Sequence, residues 1–76
     1  MKKKNFYEGL PTDLLGCFYC FVEKKIQSKE HISRMLFEMN QIEKVARDRG
    51  ISLLELRIIG HWFIQKEINL TKHELD

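Results

Sequence analysis

The chain is short, moderately apolar and close to neutral. Its 76 residues carry a formal net charge of +2, and they are 43% hydrophobic and 32% charged. This length suits one small domain, and the composition is too apolar for an intrinsically disordered protein. Such a domain buries only about 60–65% of the surface that its unfolded chain exposes. These figures exclude most enzymes and favour a protein whose marginal core is supplemented by a partner.

The N-terminal segment is basic and does not resemble a signal peptide. Residues 1–4 read Met-Lys-Lys-Lys, and Asn5-Phe6-Tyr7-Glu8-Gly9 follows where a signal peptide needs at least about seven apolar residues. The apolar runs also fall far short of the roughly 18 residues that span a bilayer. We therefore expect a flexible basic N-terminus over about residues 1–9 and a cytoplasmic protein that contacts no membrane.

A first helix is predicted over residues 12–27. Pro11 suits a helix start, and Asp13 places an acidic group in the first turn. Beyond them, apolar residues recur at spacings of three and four, which is the period of an α-helix. These residues are Leu15, Phe18, Val22 and Ile26.

A second helix is predicted over residues 29–49. Ser28 is a suitable N-cap for it, and Gly50 is a suitable residue to end it. Five residues at helical spacing form its expected inward stripe: Ile32, Met35, Met39, Ile42 and Ala46. Phe37 and Val45 fall on other faces, Phe37 about 140° from Ile32 on a helical wheel.

The third helix, predicted over residues 53–67, has the clearest start signal. Ser52 and Glu55 have the spacing of a capping box, in which each side chain accepts a hydrogen bond from the other residue's backbone N–H. Thr71-Lys72-His73-Glu74 repeats this pattern and predicts a short helical turn from residue 72. The expected fold is a small all-α bundle of three main helices in one domain.

The third helix is apolar in nearly every direction. Between residues 53 and 68 it carries nine apolar residues: Leu53, Leu54, Leu56, Ile58, Ile59, Trp62, Phe63, Ile64 and Ile68. Two other helices can cover only part of such a helix, so either some apolar surface remains exposed or a partner covers it. We favour a partner, which is either a second copy or a heterologous regulatory protein. The expected anchors are Phe37, Leu54, Ile58 and Trp62.

The sequence offers little catalytic, redox or metal chemistry. Cys17 and Cys20 form a C-x-x-C pattern, but it lies inside a predicted helix and not after a strand, so free thiols are favoured over a redox or metal pair. The histidines lack the paired spacing of a zinc site: His31, His61 and His73. No catalytic constellation is recognisable. We expect a non-enzymatic protein without a cofactor.

A helix-turn-helix DNA-binding regulator is the alternative. Residues 45–52 partly match that motif, although Arg49 stands at a usually apolar position. The outward positions of the next helix hold Leu53, Leu54 and Ile58 instead of side chains that read base edges. In this alternative, DNA phosphates are bound by six cations: Lys2, Lys3, Lys4, Arg47, Arg49 and Arg57.

Residues 42–75 suggest a further relationship. They include three short motifs: Arg49-Gly50-Ile51-Ser52, Leu56-Arg57-Ile58-Ile59 and Asn69-Leu70-Thr71-Lys72-His73-Glu74-Leu75. This stretch resembles the start of winged-helix transcription regulators of the MarR type. The resemblance implies a dimerisation role and a link to transcription, with the family's recognition helix and wing falling beyond Asp76.

Overall fold

The computed structural model describes the backbone of residues 5–75 and the side chains of residues 5–67. A 3₁₀ turn at Phe6–Gly9 precedes three α-helices, which are α1 (Thr12–Gln27), α2 (Ile32–Asp48) and α3 (Leu53–Leu75). Within the described residues no strand is present. The predicted all-α bundle of three main helices is confirmed, and the predicted bounds of α1 agree with those of the structure.

The core lies around α1, which packs against both of the other helices, while α2 and α3 make few contacts with each other. Among the side chains that the structure describes, eight buried residues form this core: Tyr7, Leu15, Tyr19, Val22, Ile42, Val45, Ala46 and Leu56. Val45 is therefore an inward residue, contrary to prediction, and Ile32 is exposed instead of buried. The buried face of α2 therefore contains Ile42, Val45 and Ala46, and it is turned toward Val45 relative to the predicted stripe. This is the face that packs on α1, the main helical neighbour of α2.

Two glycines allow α1 and α3 to pack at very short range. A Cβ atom added at Gly16 would lie 2.7 Å from the backbone nitrogen of Gly60, and one added at Gly60 would lie 2.5 Å from the carbonyl carbon of Gly16. Neither separation is compatible with a side chain. The two backbones thus touch directly, which explains a glycine in the middle of a helix despite its low helix propensity.

The connection from α1 to α2 differs from the prediction. Ser28 ends α1 and does not cap α2, and Lys29 follows in the left-handed region at φ 58°. Hydrogen bonds from the Lys29 N–H to the Ile26 carbonyl and from the Glu30 N–H to the Lys25 carbonyl, both 3.0 Å, complete a Schellman motif. Because residues 28–31 reverse the chain, α2 begins three residues later than expected.

The connection from α2 to α3 follows the prediction. Gly50 adopts φ 73° and ends α2, and the Ile51 N–H donates to the Ala46 carbonyl at 2.8 Å. The capping box also forms, because the Glu55 N–H donates to Ser52 Oγ at 3.1 Å and the Ser52 N–H donates to Glu55 Oε1 at 3.3 Å. Both helix ends are thus set by local sequence.

The third helix is longer than expected. It continues through Leu75, so the predicted turn from residue 72 is helical but extends α3 without a break. The side chains from residue 68 onward and the whole of Asp76 lie outside the described residues. Accordingly, the second capping-box pattern lies within a helix.

The segment before α1 is partly ordered by its own side chains. Asn5 Oδ1 accepts hydrogen bonds from the N–H groups of Tyr7 at 2.8 Å and Glu8 at 3.1 Å, and Tyr7 is only 5% exposed. Residues 6–9 of the expected flexible N-terminus therefore form a turn, which the Asn5 cap and the burial of Tyr7 stabilise. Residues 1–4 lie outside the described part of the chain.

Candidate protein-binding surface

Three large apolar side chains form a continuous exposed row on α3. Leu54, Ile58 and Trp62 are spaced by four residues, so they lie on one face, and they are 63%, 47% and 74% exposed. We call these three residues the outer stripe. The opposite face holds Leu56 and Gly60, which are buried toward α1. The outer stripe therefore points away from the bundle.

The outer stripe is exposed because α1 covers one side of α3 and α2 adds little cover. Of the eight apolar α3 residues with described side chains, Leu56 is buried, and Ile59 and Phe63 are partly buried. The other five are exposed: Leu53, Leu54, Ile58, Trp62 and Ile64. The sequence predicted that two helices would cover the apolar surface of α3 only in part. In the structure α1 provides nearly all of that cover, so more apolar surface of α3 is exposed than if α2 packed against it as well.

Polar side chains flank the outer stripe on both sides. On a helical wheel, Glu55 and Lys66 lie about 60–80° to one side of Ile58, and His61 lies about 60° to the other side. All three flanking residues are exposed. An apolar centre with a polar rim is the usual anatomy of a protein–protein interface.

Phe37 lies apart from the outer stripe. It is 61% exposed on α2, and its neighbours three and four positions away are polar: Ser33, Arg34, Asn40 and Gln41. Phe37 lies on α2 and the outer stripe on α3, and these two helices pack mainly on α1 and contact each other little. The structure therefore brings three of the four predicted anchors together and leaves Phe37 isolated.

A second apolar patch, which the sequence did not predict, lies on another face of α2. Ile32 and Leu36 are 40% and 51% exposed and are one helical turn apart. The four-residue spacing was visible in the sequence, but Ile32 was assigned to the core. The patch has two large members, whereas the outer stripe has three, including a tryptophan.

A groove of about 410 Å³ lies between α1 and α2. Its apolar lining includes Phe18, Phe21 and Met35, and Phe18 and Tyr7 meet edge to face with ring centroids 5.7 Å apart. At its polar rim, the Tyr7 hydroxyl donates to Glu38 Oε2 at 3.0 Å. The Glu38 carboxylate of the groove is therefore engaged in a hydrogen bond within the fold.

The two cysteines have the properties of structural thiols. Burial raises the pKa of both Cys17 and Cys20, and Cys20 Sγ lies 3.6 Å from the Arg57 carbonyl oxygen, to which it donates. Redox cysteines need a lowered pKa, because the thiolate is the reactive form. Among the described residues, no group of three or more His, Cys, Asp or Glu side chains is placed to hold a metal ion.

Arg49, one of the cations of the DNA-binding alternative, is used within the fold. Its guanidinium donates to the carbonyls of Glu8 at 3.2 Å and Leu10 at 2.6 Å, and to Thr12 Oγ1 at 3.3 Å. It thus ties the end of α2 to the segment before α1. This role explains a cation at a position that is usually apolar in a helix-turn-helix motif.

Arg57 is also engaged internally. It donates to Glu23 Oε2 at 2.6 Å, and its guanidinium carbon lies 6.0 Å from the centroid of the Tyr19 ring. Arg47 is exposed, while Lys2, Lys3 and Lys4 lie outside the described residues. Two of the three arginines of the alternative, Arg49 and Arg57, are therefore engaged by groups within the fold.

No helix in the described part of the chain is both long and apolar enough to cross a membrane. The chain matches no protein-family model, no curated protein and no solved structure. The resemblance to winged-helix regulators therefore stays a prediction from the sequence, and a functional assignment depends on the surface itself.

Proposed function

We propose that this protein is a small non-enzymatic regulator that binds another protein through the outer stripe of α3. The observation that carries this proposal is the row of Leu54, Ile58 and Trp62, exposed together on the face opposite the buried seam with α1. Contiguous exposed apolar side chains on a small domain mark interaction sites more often than single exposed residues do.

Trp62 is the expected centre of the binding energy. An aromatic side chain can bury about 150–250 Å², and three quarters of Trp62 is exposed, so burying it contributes roughly 3–4 kcal/mol before the costs of association. Trp is also enriched among the few residues that dominate interface energies. Leu54 and Ile58 would exclude water on one side of this anchor.

A role in transcription is proposed from the resemblance alone. In winged-helix regulators of the MarR type, the segment that residues 42–75 resemble contributes to dimerisation. The outer stripe lies within this segment, which is compatible with a regulator that acts by association. Direct DNA binding is the weaker alternative, since Arg49 and Arg57 are held by the fold.

A capture experiment with matched variants tests the proposal. We expect Ile58→Gln/Trp62→Gln to lose a partner that the wild-type protein captures, and we expect Phe37→Gln to retain it. Phe37 is the matched control because it is an exposed aromatic residue outside the outer stripe. Circular dichroism must show that both variants are folded.

The opposite pattern would contradict the proposal, namely a partner retained by the outer-stripe variant.

Random duplex DNA is the second probe. The DNA-binding alternative predicts an affinity that falls steeply with salt, because bound cations displace counterions from the phosphates. The protein-binding proposal predicts no measurable affinity for DNA at moderate salt.

A further inference from the structure

We propose that the partner on the outer stripe is a second copy of this chain, bound with the two α3 helices antiparallel. This inference rests on the proposed function, because it uses the same surface. It adds the identity of the partner, the direction of the helices and their register.

The apolar residues complement themselves about a two-fold axis. An antiparallel pair centred near Gly60 along the helix places Ile58 opposite Trp62 of the partner subunit, and the symmetry forms this contact twice. Leu54 then lies beside Gln65 of the partner subunit, which is on the same side of the outer stripe. Each outer stripe therefore covers the other without leaving an aromatic side chain at the edge.

The charges beside the outer stripe fit the same arrangement. Glu55 and Lys66 lie on one side of it, and 11 residues at 1.5 Å per residue separate them by about 16 Å along the axis. In an antiparallel two-fold pair, equivalent sides of the two helices adjoin. Glu55 therefore approaches Lys66 of the partner subunit, and the same ion pair forms again at the other end.

A parallel pair lacks this match. It would set the side with Glu55 against the opposite side of the second helix, which carries His61 and Gln65. Glu55 and Lys66 would then both lack an oppositely charged neighbour across the interface. The charge pattern therefore selects the antiparallel arrangement.

The exposed area fits a dimer of moderate affinity. The outer stripe exposes on the order of 400 Å² per copy, and the four flanking side chains Glu55, His61, Gln65 and Lys66 add a comparable area. Covering all of this area would approach the roughly 800 Å² per partner of a standard interface, and a pair of single helices buries less than that. We expect a dissociation constant in the micromolar range.

A charge-exchange experiment tests the partner and the direction together. Glu55→Lys gives a chain with two cations beside the outer stripe, and Lys66→Glu gives a chain with two anions. Like charges then meet in each homodimer, so we expect each variant alone to dimerise at least about tenfold more weakly than wild type. An equimolar mixture restores both ion pairs, and we expect a heterodimer within about threefold of wild-type affinity.

Sedimentation equilibrium measures these constants, and Glu55→Gln is the folding control. Glutamine preserves the capping box of α3 while removing the charge, so this variant should remain folded and dimerise slightly more weakly than wild type. A wild-type chain that stays monomeric at high micromolar concentration would overturn the inference. So would a mixture that associates no better than the separate variants.

These outcomes differ from a failure of the proposed function. If wild type is monomeric but a captured protein is lost with Ile58→Gln/Trp62→Gln, the outer stripe binds a different partner and only this inference fails. If wild type dimerises and that double variant dimerises equally well, only this inference fails, because the dimer interface then lies elsewhere. The proposed function fails when the double variant also retains the captured protein.

Discussion

Tyr7 links the segment before α1 to the core, and its hydroxyl makes the stability of the fold depend on pH. Burial and the hydrogen bond to Glu38 raise the pKa of Tyr7 to about 12 from its ordinary value of 10.0. The folded state therefore holds this proton more tightly than the unfolded state does. The resulting stability is complete below pH 10 and is lost as the pH rises toward 12.

We expect the free energy of unfolding of the wild-type protein to fall between pH 10 and 12, and Tyr7→Phe to show a smaller fall over the same interval. The raised pKa values of Cys17 and Cys20 act in the same direction in both proteins, starting near pH 9. Urea unfolding followed by circular dichroism measures the difference. Equal slopes in the two proteins would show that Tyr7 does not titrate with folding.

Lys29 is strained by its backbone conformation. It occupies the left-handed position of the α1 Schellman motif, at φ 58°, where glycine has no Cβ penalty. We expect Lys29→Gly to raise the free energy of unfolding by about 0.5–1 kcal/mol. The converse substitution, Gly50→Ala at φ 73°, should lower it by about 1 kcal/mol. A loss of stability in Lys29→Gly would contradict this explanation of the turn.

At the scale of the helices, the contact between α1 and α3 depends on the absence of side chains at Gly16 and Gly60. Gly60→Ala improves helix propensity by about 1 kcal/mol, but its Cβ would lie 2.5 Å from the Gly16 carbonyl carbon. Because that neighbour is backbone, the helices must separate.

We therefore expect Gly60→Ala to lower the free energy of unfolding by about 2 kcal/mol or more, as overpacking does. Gly9→Ala is the control, because a Cβ there meets no described atom within 4 Å. It should change stability by less than about 0.5 kcal/mol. Chemical unfolding measures both variants, and a Gly60→Ala protein as stable as wild type would refute the close crossing.

The helix ends show which local signals in the sequence were sufficient. Gly50 and the Ser52–Glu55 capping box predicted the connection from α2 to α3 because each acts through its own backbone hydrogen bonds. The connection from α1 to α2 was not predicted, because a lysine occupies the position that glycine usually takes. Ser28 is a residue type that is preferred at helix N-caps. It cannot cap α2, however, because residues 28–31 form the chain reversal between α1 and α2.

For the whole molecule, the sequence predicted the helices but not their arrangement. Periodicity defines the apolar faces of each helix without defining which faces meet. Gly16 and Gly60 are the residues that indicate close packing of α3 on α1. Their meaning can be recognised only when the two helices are paired in space. Arg49 was assigned to DNA in the alternative because its internal carbonyl partners are about 40 positions away in the sequence.

The sequence predicted only part of the candidate site, because it does not define how the helices are arranged. Leu54, Ile58 and Trp62 belong to one helix, so their common face follows from spacing alone, and the structure leaves that face exposed. Phe37 belongs to α2, and only the arrangement of the helices shows that it lies apart. The anchors within one helix could be grouped from the sequence, whereas the grouping of two helices could not.

The central claim is that the outer stripe of α3 docks a second copy of the chain. Amide and indole NMR resonances of the ¹⁵N-labelled protein, recorded from about 10 μM to 1 mM, test it directly across the expected range of dissociation constants. We predict concentration-dependent shifts centred on Leu54, Ile58 and the Trp62 indole N–H, with Phe37 unchanged. Spectra that do not change with concentration, or shifts centred on α2, would contradict the claim.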